Sequence, residues 1–264
     1  MSDFSSNDGT ASLPEPDSDL EGTPNGVHGR RIVVAGATSE SGAAVCAALV
    51  AGGATVVAVG TSTAKLDELA LRVPGIATVA GDLSDSAAVD TLALALTSLP
   101  VDGLIHLVGG WVGGRGIPGQ TDEGWAAMER SFRTVRNTTR AFYPALVASS
   151  AGRAAFVSSV SVDAPTASGA DYTAAKAASE SWMRSLADGF RKDQEAAAAD
   201  DGTSPTRAAS VIFAVKALVD DRMRAAAPEK TFPGYTDVAT LASAVVALWD
   251  SPGGTLNGTR ILLH

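Results

Sequence analysis

From Arg30 onward the chain alternates short, β-branched apolar runs with longer Ala- and Leu-rich runs of helical period. "RIVVAGA" gives way to a helical stretch over 41–51, "TVVAVG" to one over 64–72, and "IATVAGD" to one over 85–99. Near-continuous apolar runs of this length suit strands buried on both faces, and their alternation with helices argues a parallel sheet covered on each side. The pattern continues with the strand "VDGLIHLVGG", a long helix from Asp122 to Ser149, the strand "GRAAFVSSV", a helix from Tyr172 to Ala199 and the strand "RAASVIFAV". A helix over 237–250 precedes "TRILLH". The expected fold is therefore α/β: a doubly wound, parallel, seven-stranded sheet in three α/β/α layers, one domain over 30–264. Two segments, Gly109–Thr121 and Lys216–Tyr235, are too long for simple connections. They fall beyond the carboxyl ends of strands, where such sheets bind ligands.

Residues 1–29 carry six acidic residues, no Lys or Arg, and many Ser, Gly and Pro. That composition cannot bury enough apolar surface to offset ordering entropy, so a solvated acidic tail is expected, with partner docking as the alternative. The remaining length suits one domain, and 45% hydrophobic residues are ample for its core. A net charge of -9 repels nucleic-acid backbones and anionic lipid, which leaves a small molecule as the expected partner. The single cysteine, Cys46, lies in an apolar helical run and reads as a buried hydrophobe. No apolar run is long enough to span a bilayer and the N-terminus lacks a basic and apolar leader pattern, so a cytoplasmic location is expected.

The turn "AGATSESG" joins the first strand to the first helix. Gly36 and Gly42 are spaced as the first and last glycines of a turn whose backbone N–H groups and helix N-terminus receive a pyrophosphate, and Thr38, Ser39 and Ser41 are candidate phosphate contacts. Such a turn can also be mere strand-to-helix geometry. Glu40 stands at the middle glycine position. Aimed at a phosphate, it would cost on the order of 1 kcal/mol in water and about 4 at an effective dielectric of 20. Aimed outward, it would only share the field of the helix N-terminus. The sequence leaves the direction open.

At the end of the second strand no carboxylate is present to bond a ribose 2'-hydroxyl, whereas Thr61 and Ser62, with Lys65 nearby, suit a 2'-phosphate. The expected cofactor is NADPH, with NADH as the alternative. Asp82 is placed to accept from an adenine amino group, and Asp85 reads equally well as a helix cap. Leu83, Val108, Gly109 and Gly110, at the ends of the third and fourth strands, complete the cofactor-binding set.

"DYTAAK" places Tyr172 and Lys176 four apart on one helix face. An ammonium held there would stabilise the phenolate and lower the tyrosine pKa, while the phenol delivers a proton to a carbonyl oxygen. Thirteen residues upstream, Ser159 ends the fifth strand, where its hydroxyl can hold a developing oxyanion. Ser158 competes for that role, but strand alternation turns only one of the two into the cleft.

The glycine turn, Asp82, "SSV" and the Tyr-x-x-x-Lys spacing resemble the short-chain dehydrogenase/reductase family over about residues 30–264. The resemblance implies a Rossmann-type fold, homodimers or homotetramers formed through the fourth and fifth helices, and NAD(P)-dependent carbonyl reduction or alcohol oxidation. It makes Tyr172 the proton donor, Lys176 the residue that binds the nicotinamide ribose and tunes Tyr172, and Ser159 the residue that orients the carbonyl. Departures surround the same cofactor. The family's Asn-Asn-Ala-Gly is His106-Leu107-Val108-Gly109, its helical catalytic Asn falls on Ser131, its Pro-Gly is Lys216-Ala217, and a threonine position holds Asp221.

"HLVGGWVGG" and "DDRMRAAAPEKTFPGYT" are also similar to the dihydropteridine-reductase branch, which lacks the serine kept here as Ser159. By that likeness Trp111 offers a flat face to a planar substrate or to the nicotinamide, the alternative being that it plugs the loop into the core. His106 reads as a satisfied strand-end residue, and no metal site is expected. Lys216 is a substrate-side candidate that could instead offset Glu40. Two functions follow: an NADPH-dependent reductase of a small carbonyl or planar heterocycle, or a divergent binding or regulatory protein of the same fold in which Glu40 impairs cofactor binding.

Overall fold

The computed structural model describes residues 26–201 and 207–264. Most of the expected tail lies outside the described residues. Its inner end does not: residues 26–29 form a turn, and Val27 is buried against Gly52.

Strands β1 (Arg31–Ala35), β2 (Thr55–Gly60), β3 (Ala77–Ala80), β4 (Gly103–His106), β5 (Arg153–Ser159) and β6 (Ala209–Val215) alternate with helices. The helices are α1 (Glu40–Ala51), α2 (Thr63–Arg72), α3 (Ser86–Leu96), α4 (Asp122–Ala148) and α5 (Ala170–Asp201). After β6 come β7 (Leu218–Val219), α6 (Asp221–Ala226), β8 (Thr236–Asp237), α7 (Val238–Val246), α8 (Gly253–Leu256) and β9 (Arg260–Leu262). The main sheet is parallel throughout, in the order β3-β2-β1-β4-β5-β6-β9. Its order reverses between β1 and β4, so the carboxyl ends of these two strands open a crevice.

Alternation along each strand feeds two cores. Val34, Val56 and Ala58 turn toward α1 and α7, meeting Val45, Leu49, Leu241 and Val245. Their neighbours Val33 and Val57 turn the other way, onto a core with Leu104, Phe142, Leu146 and Phe190 of β4, α4 and α5. Helix starts are fixed chemically: Ser39, Ser62, Asp85 and Thr121 cap α1, α2, α3 and α4 by accepting from first-turn amides. Cys46 is buried as expected, its thiol pushed up to about 12 by desolvation.

At the amino end of the strands, opposite the crevice, Arg153 is buried and donates to the carbonyls of Leu248, Gly152, Arg207 and Ser251, with burial holding its pKa down at about 10. Beside it Trp249 lies over Gly103, where a Cβ would fall 2.9 Å from the indole. These contacts make that end of the sheet structural and leave the crevice end for chemistry.

The sequence pattern does not reveal the two-residue ladder β7–β8. It closes the 216–237 excursion at its base and replaces the first residue of the helix expected from 237. Among the described residues no helix is long and apolar enough to cross a membrane, and no group of three or more His, Cys, Asp or Glu could hold a metal ion.

Candidate active site

Two cavities meet in the crevice, sharing Ser39 and Leu107–Gly110 as common lining. The first, about 540 Å³, runs along the glycine turn and over the ends of β2 and β3. The second, about 680 Å³, lies over β5 and the start of α5.

The turn is built so that only glycine fits. Gly36 has φ +81°, and a Cβ there would lie 2.8 Å from the Val108 backbone nitrogen; at Gly42 it would lie 2.5 Å from the carbonyl oxygens of Gly36 and Ala37. Ser39 accepts from the Gly42 amide and donates to the Gly36 carbonyl, which fixes the curl. The amides of Glu40 and Ser41 open the helix, where no intrahelical carbonyl is available to them. The Glu40 side chain turns away. Its carboxylate takes two hydrogen bonds from Arg72, at 2.9 and 3.3 Å, and has Arg222 at 3.7 Å. The Arg72 hydrogen bonds hold its pKa below the ordinary value. Glu40 lines neither cavity. Lys216 is not its partner either: that ammonium donates to the Pro233 carbonyl at 2.8 Å.

At the far end of the first cavity stand Thr61, Lys65, Asp82 and Leu83, as expected. Ser62 is not with them; its hydroxyl is turned back to cap α2 at the Lys65 amide. Asp82 closes a turn onto the amide and hydroxyl of Ser84, which hold its pKa down, and Asp85 is the cap of α3. Arg130 of α4 joins this lining and acts electrostatically on Asp82. Its place within a long helix gives no local signal in the sequence.

In the second cavity the structure brings together Ser159, Tyr172, Lys176, Trp111 and Lys216. Ser158 and Ser159 divide as alternation demands. Ser158 donates to buried Glu180 at 2.7 Å, while the Ser159 hydroxyl accepts from the amide and hydroxyl of Ser161. The expected lowering of the Tyr172 pKa by Lys176 is not present. Burial pushes the phenol up, the nearby Ser159 hydroxyl opposes this, and the buried Lys176 ammonium donates to the Val157 carbonyl at 2.8 Å. Desolvation brings Lys176 down to about 8, and Glu180 one helical turn on resists that shift. A Cβ at Gly109 would lie 3.4 Å from Lys176 Nζ and 3.7 Å from Ser131 Oγ, so these two groups flank the same glycine. Ser131 itself lines the first cavity.

His106 is fully buried and only half satisfied. Thr134 gives its hydroxyl hydrogen to the Ser131 carbonyl at 2.7 Å, so the 3.0 Å contact with His106 Nε2 makes Nε2 the protonated nitrogen. Nδ1 has no hydrogen-bond partner among the described residues. Burial, with the Lys176 charge adding, drives the imidazole down to about 3, so it stays neutral at physiological pH.

Trp111 is 69% exposed and lines the second cavity, so it does not plug the core. Its loop is clamped at the far end. Gln120 Nε2 donates to the carbonyls of Gly116 and Ala167, and Gln120 Oε1 accepts from the Asp171 amide just before Tyr172. Gln120→Ala removes this clamp without touching the cavity lining. The expected result is a substrate KM raised about three- to tenfold with kcat changed less than twofold, from loss of bonds worth about 1 kcal/mol each. Steady-state kinetics measures this, and an unchanged KM would rule the clamp out.

A family model described as short chain dehydrogenase matches residues 30–196. No curated protein matches the chain. Among solved structures, a short chain dehydrogenase from Salmonella enterica serovar Typhi is 19% identical with a TM-score of 0.75, over 91% of this chain and 98% of that one. A provisionally assigned short chain dehydrogenase from Shigella flexneri, complexed with NADP, is 21% identical with a TM-score of 0.74, over 90% and 98%. One from Escherichia coli, also provisionally assigned and complexed with NADPH, is 21% identical with a TM-score of 0.75, over 90% and 98%.

Proposed function

The chain belongs to the short-chain dehydrogenase family, and from that premise we propose that it is an NADP(H)-dependent oxidoreductase that reduces a small carbonyl or planar heterocyclic compound. One observation carries the reading: the glycine turn and the Ser159, Tyr172 and Lys176 constellation open onto one continuous crevice, joined along Leu107–Gly110. The two glycines that a Cβ would obstruct answer to the tight turn and the close packing of the helix start in a dinucleotide-binding turn. The outward Glu40 removes the reason for a cofactor-free binding protein.

In this reading Thr38, Ser39 and Ser41 flank the phosphates, and Asp82 and Leu83 border the adenine. Thr61, Lys65 and Arg130 offer a hydroxyl and two cations to a 2'-phosphate, with no carboxylate at the end of β2 to favour a free 2'-hydroxyl. The two fold neighbours complexed with NADP and NADPH support the same choice. Val108, Gly109, Gly110 and Lys176 would hold the nicotinamide riboside. When bound, the dinucleotide supplies hydride chemistry. The chain's own residues do the rest. Ser159 holds the carbonyl oxygen by its hydroxyl, Tyr172 delivers a proton to that oxygen, and Lys176 keeps a positive charge beside Tyr172. Ser131 and Gly109 border the path from Lys176 toward the first cavity. The reading extends to a cytoplasmic homodimer or homotetramer assembled through α4 and α5, where Trp125 is exposed and Phe132 meets Trp182 edge to face.

Fluorescence titration tests the cofactor. NADPH is expected to bind at micromolar Kd and NADH at least about tenfold more weakly, and Glu40→Gln is expected to change either Kd by less than about threefold. Because Glu40 and Arg72 form a surface pair, the same variant should lose no more than about 1 kcal/mol of stability. Failure of the natural protein to bind either dinucleotide would refute the oxidoreductase.

A further inference from the structure

Resting on that reading, we propose that the substrate carries one negative charge, a carboxylate or an equivalent planar oxyanion, which Lys216 receives while the reacting carbonyl lies at Tyr172 and Ser159. The second cavity has flat and apolar walls: Trp111 from the 109–121 segment, and Met223 and Tyr235 from the 216–237 excursion. A planar molecule of modest size fits between such faces. Its lining contains no Asp or Glu. Of the carboxylates close in sequence to its walls, Asp171 lies toward Gly124 of α4, Asp221 and Asp237 pair with Arg224, Glu40 with Arg72 and Asp163 with Arg260, and Asp220 caps α6. In a chain of net charge -9, a cavity with cations alone is a local exception.

Two cations line it, and their positions give them different work. Lys176 is buried, bonded to Val157 and set one turn from Tyr172, so it belongs to the chemistry. Lys216 is exposed at the end of β6. Its Nζ lies 5.7 Å from the centre of the Tyr235 ring and donates to the Pro233 carbonyl, a single acceptor for a group with three hydrogens. The stem passes Gly234, where a Cβ would approach Lys216 Cδ to 3.4 Å. The ammonium is thus held at the cavity wall by its stem and one bond, with hydrogens left for a ligand. The helix N-terminus that also reaches this cavity, at Ser39 and Ser41, is taken by the dinucleotide phosphates in this reading, so the single cation left for the substrate matches a monoanion better than a phosphate dianion.

The test is isothermal titration of NADP+-loaded protein with 4-formylbenzoate and with its methyl ester, on the natural chain and on Lys216→Gln. The acid is expected to bind the natural protein at least about tenfold more tightly than the ester, and the ratio should fall below about twofold in Lys216→Gln. The preference should also shrink as salt rises. Equal affinities, no binding of either probe, or a preference that survives Lys216→Gln would overturn the proposal. So would a Lys216→Gln variant whose only change is weaker NADP+ binding, since the charge would then serve the cofactor. Failure of the natural protein to load NADP+ at all is a separate result, visible before any probe is added, and it would end the oxidoreductase reading itself.

Discussion

Tyr172→Phe is expected to lower kcat for carbonyl reduction by about 10² to 10⁴ while NADPH affinity stays within about twofold. The variant removes one hydroxyl from a side chain that lines the second cavity, and the ring keeps its place at the start of α5. The pH profile separates the two titrating groups. Burial holds the phenol above its ordinary value, so Tyr172 remains a proton donor throughout the neutral range. Lys176 has been brought down to about 8 by desolvation and carries its charge below that pH. As pH rises through about 8 the charge beside Tyr172 is lost, so kcat should be level from pH 6 to 7.5 and fall above 8. Stopped-flow measurement of NADPH oxidation across pH 6 to 10 checks both statements. A Tyr172→Phe enzyme that keeps a third of its turnover would remove Tyr172 from the chemistry, and a natural profile level to pH 10 would remove the Lys176 charge.

The fold was legible because its signal is repetitive: short apolar runs, most of them rich in β-branched residues, alternate with helices of which α1 to α4 each carry a capping residue at the start. The catalytic trio was legible because Tyr172 and Lys176 are tied by one helical turn and Ser159 by its strand end. What escaped lacks such local coupling. The direction of Glu40 depends on Arg72, 32 residues away at the end of another helix. Arg130 reaches the end of the crevice from the middle of α4 and shares no motif with Lys65. The net shift of Tyr172 is upward although the Lys176 ammonium lies 5.8 Å from the centre of its ring, because spacing on one helix face does not report how deeply the phenol is buried.

Glu180 is the largest feature of the site that the sequence does not announce, and its removal should be the most damaging change to stability. Its side chain is fully buried, one turn beyond Lys176. It accepts from Ser158 at 2.7 Å, from Arg260 Nε at 3.0 and 3.1 Å, and from Arg184 at 2.8 Å. Arg260 in turn donates to the Ser159 carbonyl and pairs with Asp163, so this carboxylate anchors the strand end that presents Ser159. Glu180→Ala leaves the buried Ser158 hydroxyl without its acceptor and the partly buried Arg260 guanidinium without its buried counter-charge, with only the exposed Asp163 and the Ser159 carbonyl remaining to it. Breaking such a pair from one side costs about 3 to 5 kcal/mol, which for a domain of this size lowers Tm by roughly 10 °C.

Glu180→Gln should fall between, because its carbonyl can still accept from Ser158 while the charge opposite Arg260 is gone. Replacing both members, Glu180→Leu with Arg260→Met, should recover much of the loss, since no uncompensated charge remains. Differential scanning calorimetry of the four proteins decides the matter. If Glu180→Ala melts within 2 °C of the natural chain, or the double variant is no better than the single one, the cost does not come from a stranded buried charge, and the strand end that carries Ser159 must be held by packing alone.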